Sequence, residues 1–227
     1  MDKDTTIEYA IIRSSRKGYG IEVRDGQVIV RVPNRATDEQ AAEVVRSKLE
    51  WILSKISQQS VRRNKFELVY CLQAVLIHGV LHEVMFGNCK KAQIQDNRVL
   101  LPLRVRGDYT KAANAIIRLL NELCNDYVTN RISQTMGRFY PFRLSNARTK
   151  WGSCKYNGEI SLNWRIICLP ARLSDYIIVH ELCHLRHHNH GKGFWNEVAG
   201  VLPDYKERRK ELKEYSVLVE LYRNPTR

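Results

Sequence analysis

The stretch Tyr176-Ile177-Ile178-Val179-His180-Glu181-Leu182-Cys183-His184-Leu185 decides how this chain is read. It sets His-x-x-x-His behind four apolar residues. Residues four apart on an α-helix lie about 40° apart around the axis and one turn along it, so the imidazoles of His180 and His184 converge on one ion. Glu181 lies about 100° from His180, on the flank of the same face. Its carboxylate reaches a water polarised by the ion without binding the ion itself. Zinc brings the pKa of such a water towards about 7, and a carboxylate beside it can take the proton during attack on a carbonyl. It can later deliver that proton to the leaving amine. The apolar run predicts a buried helix that holds these groups rigidly, starting near Leu173 or Ser174 with Ser174 as its cap. Cys183 points away from the ion in the helical projection.

Five of the seven histidines fall between residues 180 and 190. A catalytic zinc takes three protein ligands and leaves one position open, and the residues alone leave the third ligand undecided. His187 shares the helical face, seven residues after His180. His188 points elsewhere if the helix continues. His190 can swing back if the helix ends near Asn189, and Glu197 is a carboxylate alternative. His180, His184 and His190 have the spacing HExxHxxGxxH, but His187 stands at the turn glycine. No methionine follows the motif, which argues against a metzincin.

Around the motif lies an ordered series. It runs Arg148-Thr149-Lys150-Trp151-Gly152-Ser153-Cys154, then Ile160-Ser161-Leu162-Asn163-Trp164-Arg165, then Leu169-Pro170. After the motif come Asn189-His190-Gly191 and Phe194-Trp195. This series resembles the YgjP-like (WrpA-like) metallopeptidases, relatives of the SprT-like zincins. The likeness is specific from Arg143 to Trp195 and looser over the N-terminal hairpins and the Trp51 helix. It implies an α+β fold: a zincin-like (minigluzincin or SprT-like) catalytic part with an N-terminal β-hairpin and helix region. It implies zinc as cofactor, peptide-bond hydrolysis as the reaction, and His190 as the third ligand; His187 and His188 are extra imidazoles beside that pattern. In zincins an edge strand in this place binds substrate as an added strand, which assigns Leu162 and Asn163 loosely to substrate. Trp151, Gly152, Phe194 and Trp195 are expected to pack behind the site. HExxH alone would equally allow another hydrolase.

Working outward, Ile7 to Ile12 and Ile21 to Val32 read as strands, with Asp25-Gly26 as a hairpin turn. Thr37 and Gln40 form a capping box that opens a helix through Ile56, and Gln58 to Asn64 reads as loop. Phe66 to Leu103 reads as strands. Tyr109 to about Met136 is an amphipathic helix. Strands are expected at Phe142–Leu144 and Glu159–Ile167, and further helices at about 192–201 and 205–222. The expected division is an N-terminal region, 1–105, and a catalytic region, 106–227, within what could be one continuous domain. His78 and His82 are also four apart, but Gly79 replaces the glutamate. They read as structural residues on one face of a strand.

Composition bounds the rest. At 227 residues, 44% hydrophobic and 27% charged, the chain can bury a sizeable core. No apolar run approaches the roughly 18–20 residues that span a bilayer. Met1-Asp2-Lys3-Asp4 lacks the apolar stretch of a signal peptide, so the cytoplasm is expected. The six cysteines show no paired spacing and read as buried free thiols. The net charge of +13 allows a nucleic-acid partner, although the basic residues are spread widely and cluster only at 60–65 and 206–210. Two rival functions follow: a nucleic-acid-associated protease of the SprT-like kind, and a non-catalytic zinc-binding module.

Overall fold

Val28, Val30 and Val32 alternate along one strand, and the computed structural model, which describes residues 7–24 and 26–222, buries all three. Met1–Asp4, Asp25 of the expected turn and the Arg63 side chain of the first basic cluster lie outside the described residues. The chain divides into two compact units, residues 1–65 and 66–227. In the first, β3 (Gln27–Pro33) lies between β1 (Tyr9–Ser14), parallel to it, and β2 (Gly20–Arg24), antiparallel to it. The capping box forms at Thr37 and Gln40, and opens α1 (Asp38–Ser47). The helix breaks at Lys48, and α2 (Leu49–Asn64) continues it. The segment Gln58 to Asn64, expected as loop, is the end of α2: it is polar but holds no glycine or proline, and polarity alone does not stop a helix. Ala41, Val45 and Ile52 join the three valines in this unit's own core.

The second unit is a mixed α+β layer structure. After the short α3 (Glu67–Tyr70) come β4 (Ala74–Ile77), β5 (Val80–Gly87), β6 (Gln93–Gln95) and β7 (Arg98–Pro102). They pair in the order β4-β5-β7-β6. Val75, Leu76, Val99 and Leu101 share one core with Ile116, Ile166 and Ile177. The boundary expected after residue 105 therefore falls inside this core, and the chain divides at Lys65–Phe66 instead. Helix α4 (Tyr109–Met136) is capped by Asp108, which accepts a hydrogen bond from the Lys111 N–H at 2.9 Å, and it stops at Gly137 with φ +69°. Its stripe Ala112, Ile116, Leu120, Cys124, Val128 and Ile132 is buried.

A second sheet holds β8 (Phe142–Ser145), β9 (Gly152–Cys154) and β10 (Ile160–Asn163), in the order β8-β10-β9. The strand expected to reach Ile167 ends at Asn163. There the Asn163 Oδ1 accepts from the Arg165 N–H at 3.1 Å and caps a 3₁₀ turn over Trp164–Cys168. Then follow α5 (Ala171–Cys183), α6 (Lys192–Val201) and α7 (Tyr205–Glu211), and a 3₁₀ stretch over Leu212–Glu220. Helix α5 starts at Pro170, not at a Ser174 cap. The Ser174 hydroxyl instead donates to the Ile166 carbonyl at 2.6 Å and pins the helix to the 3₁₀ turn. Leu173, Ile177 and Ile178 anchor α5 in the core. Each such side chain contributes about 1.5–3 kcal/mol by leaving water.

His78 and His82 do not share a strand face. His78 sits in the β4–β5 turn at φ +49° and packs on Tyr127, whereas His82 lies on β5. Three of the six thiols are buried, Cys124, Cys168 and Cys183; the other three are partly or fully exposed, and all six are free. No described helix is long and apolar enough to cross a membrane.

Candidate metal centre

Helix α5 ends at Cys183, but His184 keeps right-handed helical backbone (φ −66°, ψ −15°), so His180 and His184 stay on one face. The N–H groups of Leu185, Arg186 and His187 then close a tight turn on the carbonyls of Leu182 and Cys183. The chain doubles back, and the Asn189 side chain accepts from the Gly191 N–H at 3.1 Å. That local turn aims His190 at the helix. The ring centroids form a near-equilateral triangle: 4.9 Å for His180–His184, 5.0 Å for His180–His190 and 4.8 Å for His184–His190. One ligand atom from each of the three lies within 4.8 Å of the others.

The donor set fits a divalent metal ion. The Nε2 atoms of His180 and His190 stand 3.1 Å apart. Two imidazole nitrogens around one tetrahedral ion would stand about 3.3 Å apart, given metal–nitrogen bonds of about 2.0–2.1 Å. Facing lone pairs at that distance repel unless a proton or a cation lies between them. A second ring proton on His180 is disfavoured, because burial, and then His184, His190 and Arg209, push its pKa down to about 3; between the neutral rings, either one N–H is donated to the other ring or both lone pairs face a cation. Burial, then the same His184 and Arg209, also lowers His190. His184 uses its Nδ1–H on the His187 carbonyl at 2.8 Å, which leaves its Nε2 lone pair for a metal.

Phe194, 1% exposed, lies 4.9, 4.5 and 4.8 Å from the rings of His180, His184 and His190 and forms the back wall of the centre. Trp195 stacks on His190 at 5.5 Å and on Tyr205 at 5.2 Å, and the Arg209 guanidinium lies 5.1 Å over its ring. The remaining candidate ligands are engaged elsewhere. His187 pairs with Glu197 at 2.9 Å, Arg186 with the same carboxylate at 3.2 Å, and His188 stacks on Tyr156 at 4.1 Å.

Glu181 lies beside the triad but outside the ligand group. It is 6% exposed, and its Oε2 has no hydrogen-bond partner. Burial raises its carboxyl to about 7, against the pull of Lys150. Gly152 of β9 makes its place: a Cβ there would stand 2.6 Å from the Glu181 Oε1 and 2.8 Å from its Cδ. Gly152, expected to pack behind the site, lies directly against the Glu181 carboxylate. The available signal was a glycine inside a strand pattern, which often marks a close approach.

The expected substrate residues lie elsewhere. β10 is the central strand, so it offers no free edge, and Leu162 and Asn163 are each 0% exposed. The Asn163 amide donates to the carbonyls of Ala147 and Lys150, and its oxygen is taken by Arg165. Arg165 itself is buried and satisfied by the Leu221 carbonyl at 2.7 Å and Asn146 at 2.6 Å. The edge beside α5 is β9. Trp151 accepts from the Asn163 N–H at 2.7 Å, and Lys155 donates to the Glu159 carbonyl at 3.0 Å. In an antiparallel pair the alternation then turns the N–H and C=O of Gly152 and Cys154 away from β10.

The model of the YgjP-like family, a metallopeptidase domain, matches residues 17–215. Among solved structures the chain is similar to the metallopeptidase zymogen of Pyrococcus abyssi abylysin: 24% identity, 44% of this chain and 93% of that one, TM-score 0.32. No curated protein matches.

Proposed function

The chain belongs to the YgjP-like metallopeptidases, and from that premise we propose that it is a zinc-dependent peptidase of the zincin kind. In this reading His180, His184 and His190 hold the metal and Glu181 is the general base. The observation that carries it is the meeting of three imidazoles at one point with a buried carboxylate beside them that is not one of the ligands. Zinc in such a site supplies Lewis acidity and brings a water to nucleophilic strength near neutral pH. The three imidazoles set its position, and Phe194 holds their rings from behind. Glu181 takes the proton of the attacking water. A cation nearby opposes the upward shift of its carboxyl and favours the ionised form that a base needs. After attack the same group delivers that proton to the leaving amine.

The open edge of β9 is the place for the substrate backbone, as an added strand on Gly152 and Cys154. Gly152 then serves two ends: it leaves room for the Glu181 carboxylate and presents its own amide to the peptide. The free thiols suit a reducing compartment, and the cytoplasm is the proposed location. The test is elemental analysis of the purified protein together with cleavage of an unstructured peptide pool read by mass spectrometry. About one zinc per chain and cleavage that a chelator abolishes are expected. Retained zinc with no cleavage of any pool member would leave the metal-binding module as the reading.

A further inference from the structure

A groove of about 680 Å³ opens in the second unit, within the range of about 300–1,000 Å³ of ligand sites, and shares no residue with the metal centre. Its rim carries five cations, Lys90, Lys91, Arg104, Lys111 and Arg118, against one carboxylate, Glu122. Three stretches within residues 90–122 build it. Lys111 and Arg118 stand on the first turns of α4, and Lys90 and Lys91 stand on the turn between β5 and β6. Ala92, Pro102, Val105 and Leu119 line it and are buried, so the floor is apolar under a charged rim.

Where do these charges find partners? Lys91 meets Glu122 across the groove at 3.1 Å, and Lys111 meets Asp108 at 3.0 Å. Arg104 donates to the Lys90 carbonyl at 2.7 Å, which ties one wall to the floor without neutralising either charge. Lys90 and Arg118 have no carboxylate partner among the described contacts. The Lys91–Glu122 pair is exposed and of the weak kind, so a stronger anion can displace Glu122. Five cations around one groove repel one another, and nothing in the core requires them there.

We infer that this groove binds a phosphoryl-bearing anion. Charge spacing separates that class from an acidic peptide. An extended peptide turns alternate side chains to one face, about one carboxylate per 7 Å. The groove's volume equals that of a cube about 9 Å on an edge, so a peptide sets one or two charges in it. A phosphoryl group concentrates charge: a monoester phosphate carries about −1.5 to −2, and phosphates joined through shared bridging oxygens stand closer together than alternate side chains of a strand, so a triphosphate sets three or more charges there. The Arg104 and Arg118 guanidiniums match phosphate oxygens two at a time.

The test uses the full chain and two probes, inorganic triphosphate by calorimetry and a fluorescein-labelled single-stranded 12-mer by anisotropy. Binding is measured for wild type, Lys90→Glu, Arg118→Glu, and Lys213→Glu, which changes net charge equally outside the groove. At least one probe should bind saturably. Lys90→Glu and Arg118→Glu should each weaken it tenfold or more, with Lys213→Glu within twofold of wild type. Arg118→Lys, which keeps the charge and loses the fork, should fall between. Triphosphate binding identifies a free phosphate compound as the source; binding of the 12-mer alone identifies a nucleic-acid strand. Absence of saturable binding to both probes overturns the inference. So does equal weakening by Lys213→Glu, which would make the attraction one of net charge. Unchanged peptide cleavage and melting temperature in the groove variants keep this result separate from the peptidase reading.

Discussion

Gly152→Ala is the most informative single change, because one methyl group tests where the base stands. The added Cβ would lie 2.6 Å from Glu181 Oε1, 2.7 Å from its Cγ and 2.8 Å from its Cδ, where ordinary contact begins at 3.4 Å. The carboxylate must retreat by 3.4 − 2.6 = 0.8 Å, or β9 must move by as much. Glu181 has little freedom to yield, since Val179, Leu182 and Cys183 around it are buried. A displacement near 1 Å in a reacting group costs about 10²-fold in rate, which is about 2.7 kcal/mol in barrier. Overpacking costs about 1–3 kcal/mol of stability as well. The assay measures kcat and KM on a peptide taken from the pool, zinc content by elemental analysis, and Tm. The expected result is a kcat/KM lowered about 100-fold with zinc retained, because the atoms nearest the added Cβ belong to Glu181 and not to the three histidines. A Gly152→Ala protein within threefold of wild-type kcat/KM would refute the placement of the base. Loss of zinc would show that Gly152 supports the ligands instead.

Three further outcomes are expected. His190→Ala should lose most of its zinc by elemental analysis, whereas His187→Ala and His188→Ala should keep it, because those two rings are held by Glu197 and Tyr156; a His187→Ala protein empty of metal would contradict this ligand set. Glu181→Gln should retain zinc while cleavage falls about 10²–10⁴-fold, and undiminished cleavage would move the base elsewhere. Burial holds His78 below the ordinary histidine pKa of 6.5, against the pull of Asp175, so the native state disfavours its charged form. Its contribution to stability is present above about pH 6.5, the unfolded value, and is lost as pH falls through the depressed native value. His78→Asn, a residue that tolerates the positive φ there, should lose less Tm than wild type between pH 7.5 and 5.5; an equal loss in both would show that His78 does not carry the effect.

Local periodicity made much of this protein legible. His180 and His184 share a face because the helical repeat is a property of neighbouring residues, and Glu181 falls beside them for the same reason. Thr37 with Gln40, the Tyr109–Met136 stripe and the alternating valines of β3 were readable on the same ground. Even the His190 turn has a local cause, the Asn189 side chain closing on the Gly191 N–H. Long-range contacts decided the rest. Leu162 and Asn163 have the composition of any strand, and only pairing with both β8 and β9 places β10 in the centre, which leaves the edges to β8 and β9. The boundary at Lys65–Phe66 depends on Val75 and Val99 sharing a core with Ile116 and Ile177, residues far away along the chain. A net charge of +13 says nothing about where cations gather. Lys90 and Arg118 line one groove only because β7 and α4 pack together. Sequence spacing carries geometry across a helical turn or a strand pleat, whereas contact between distant segments is set by how whole faces bury one another.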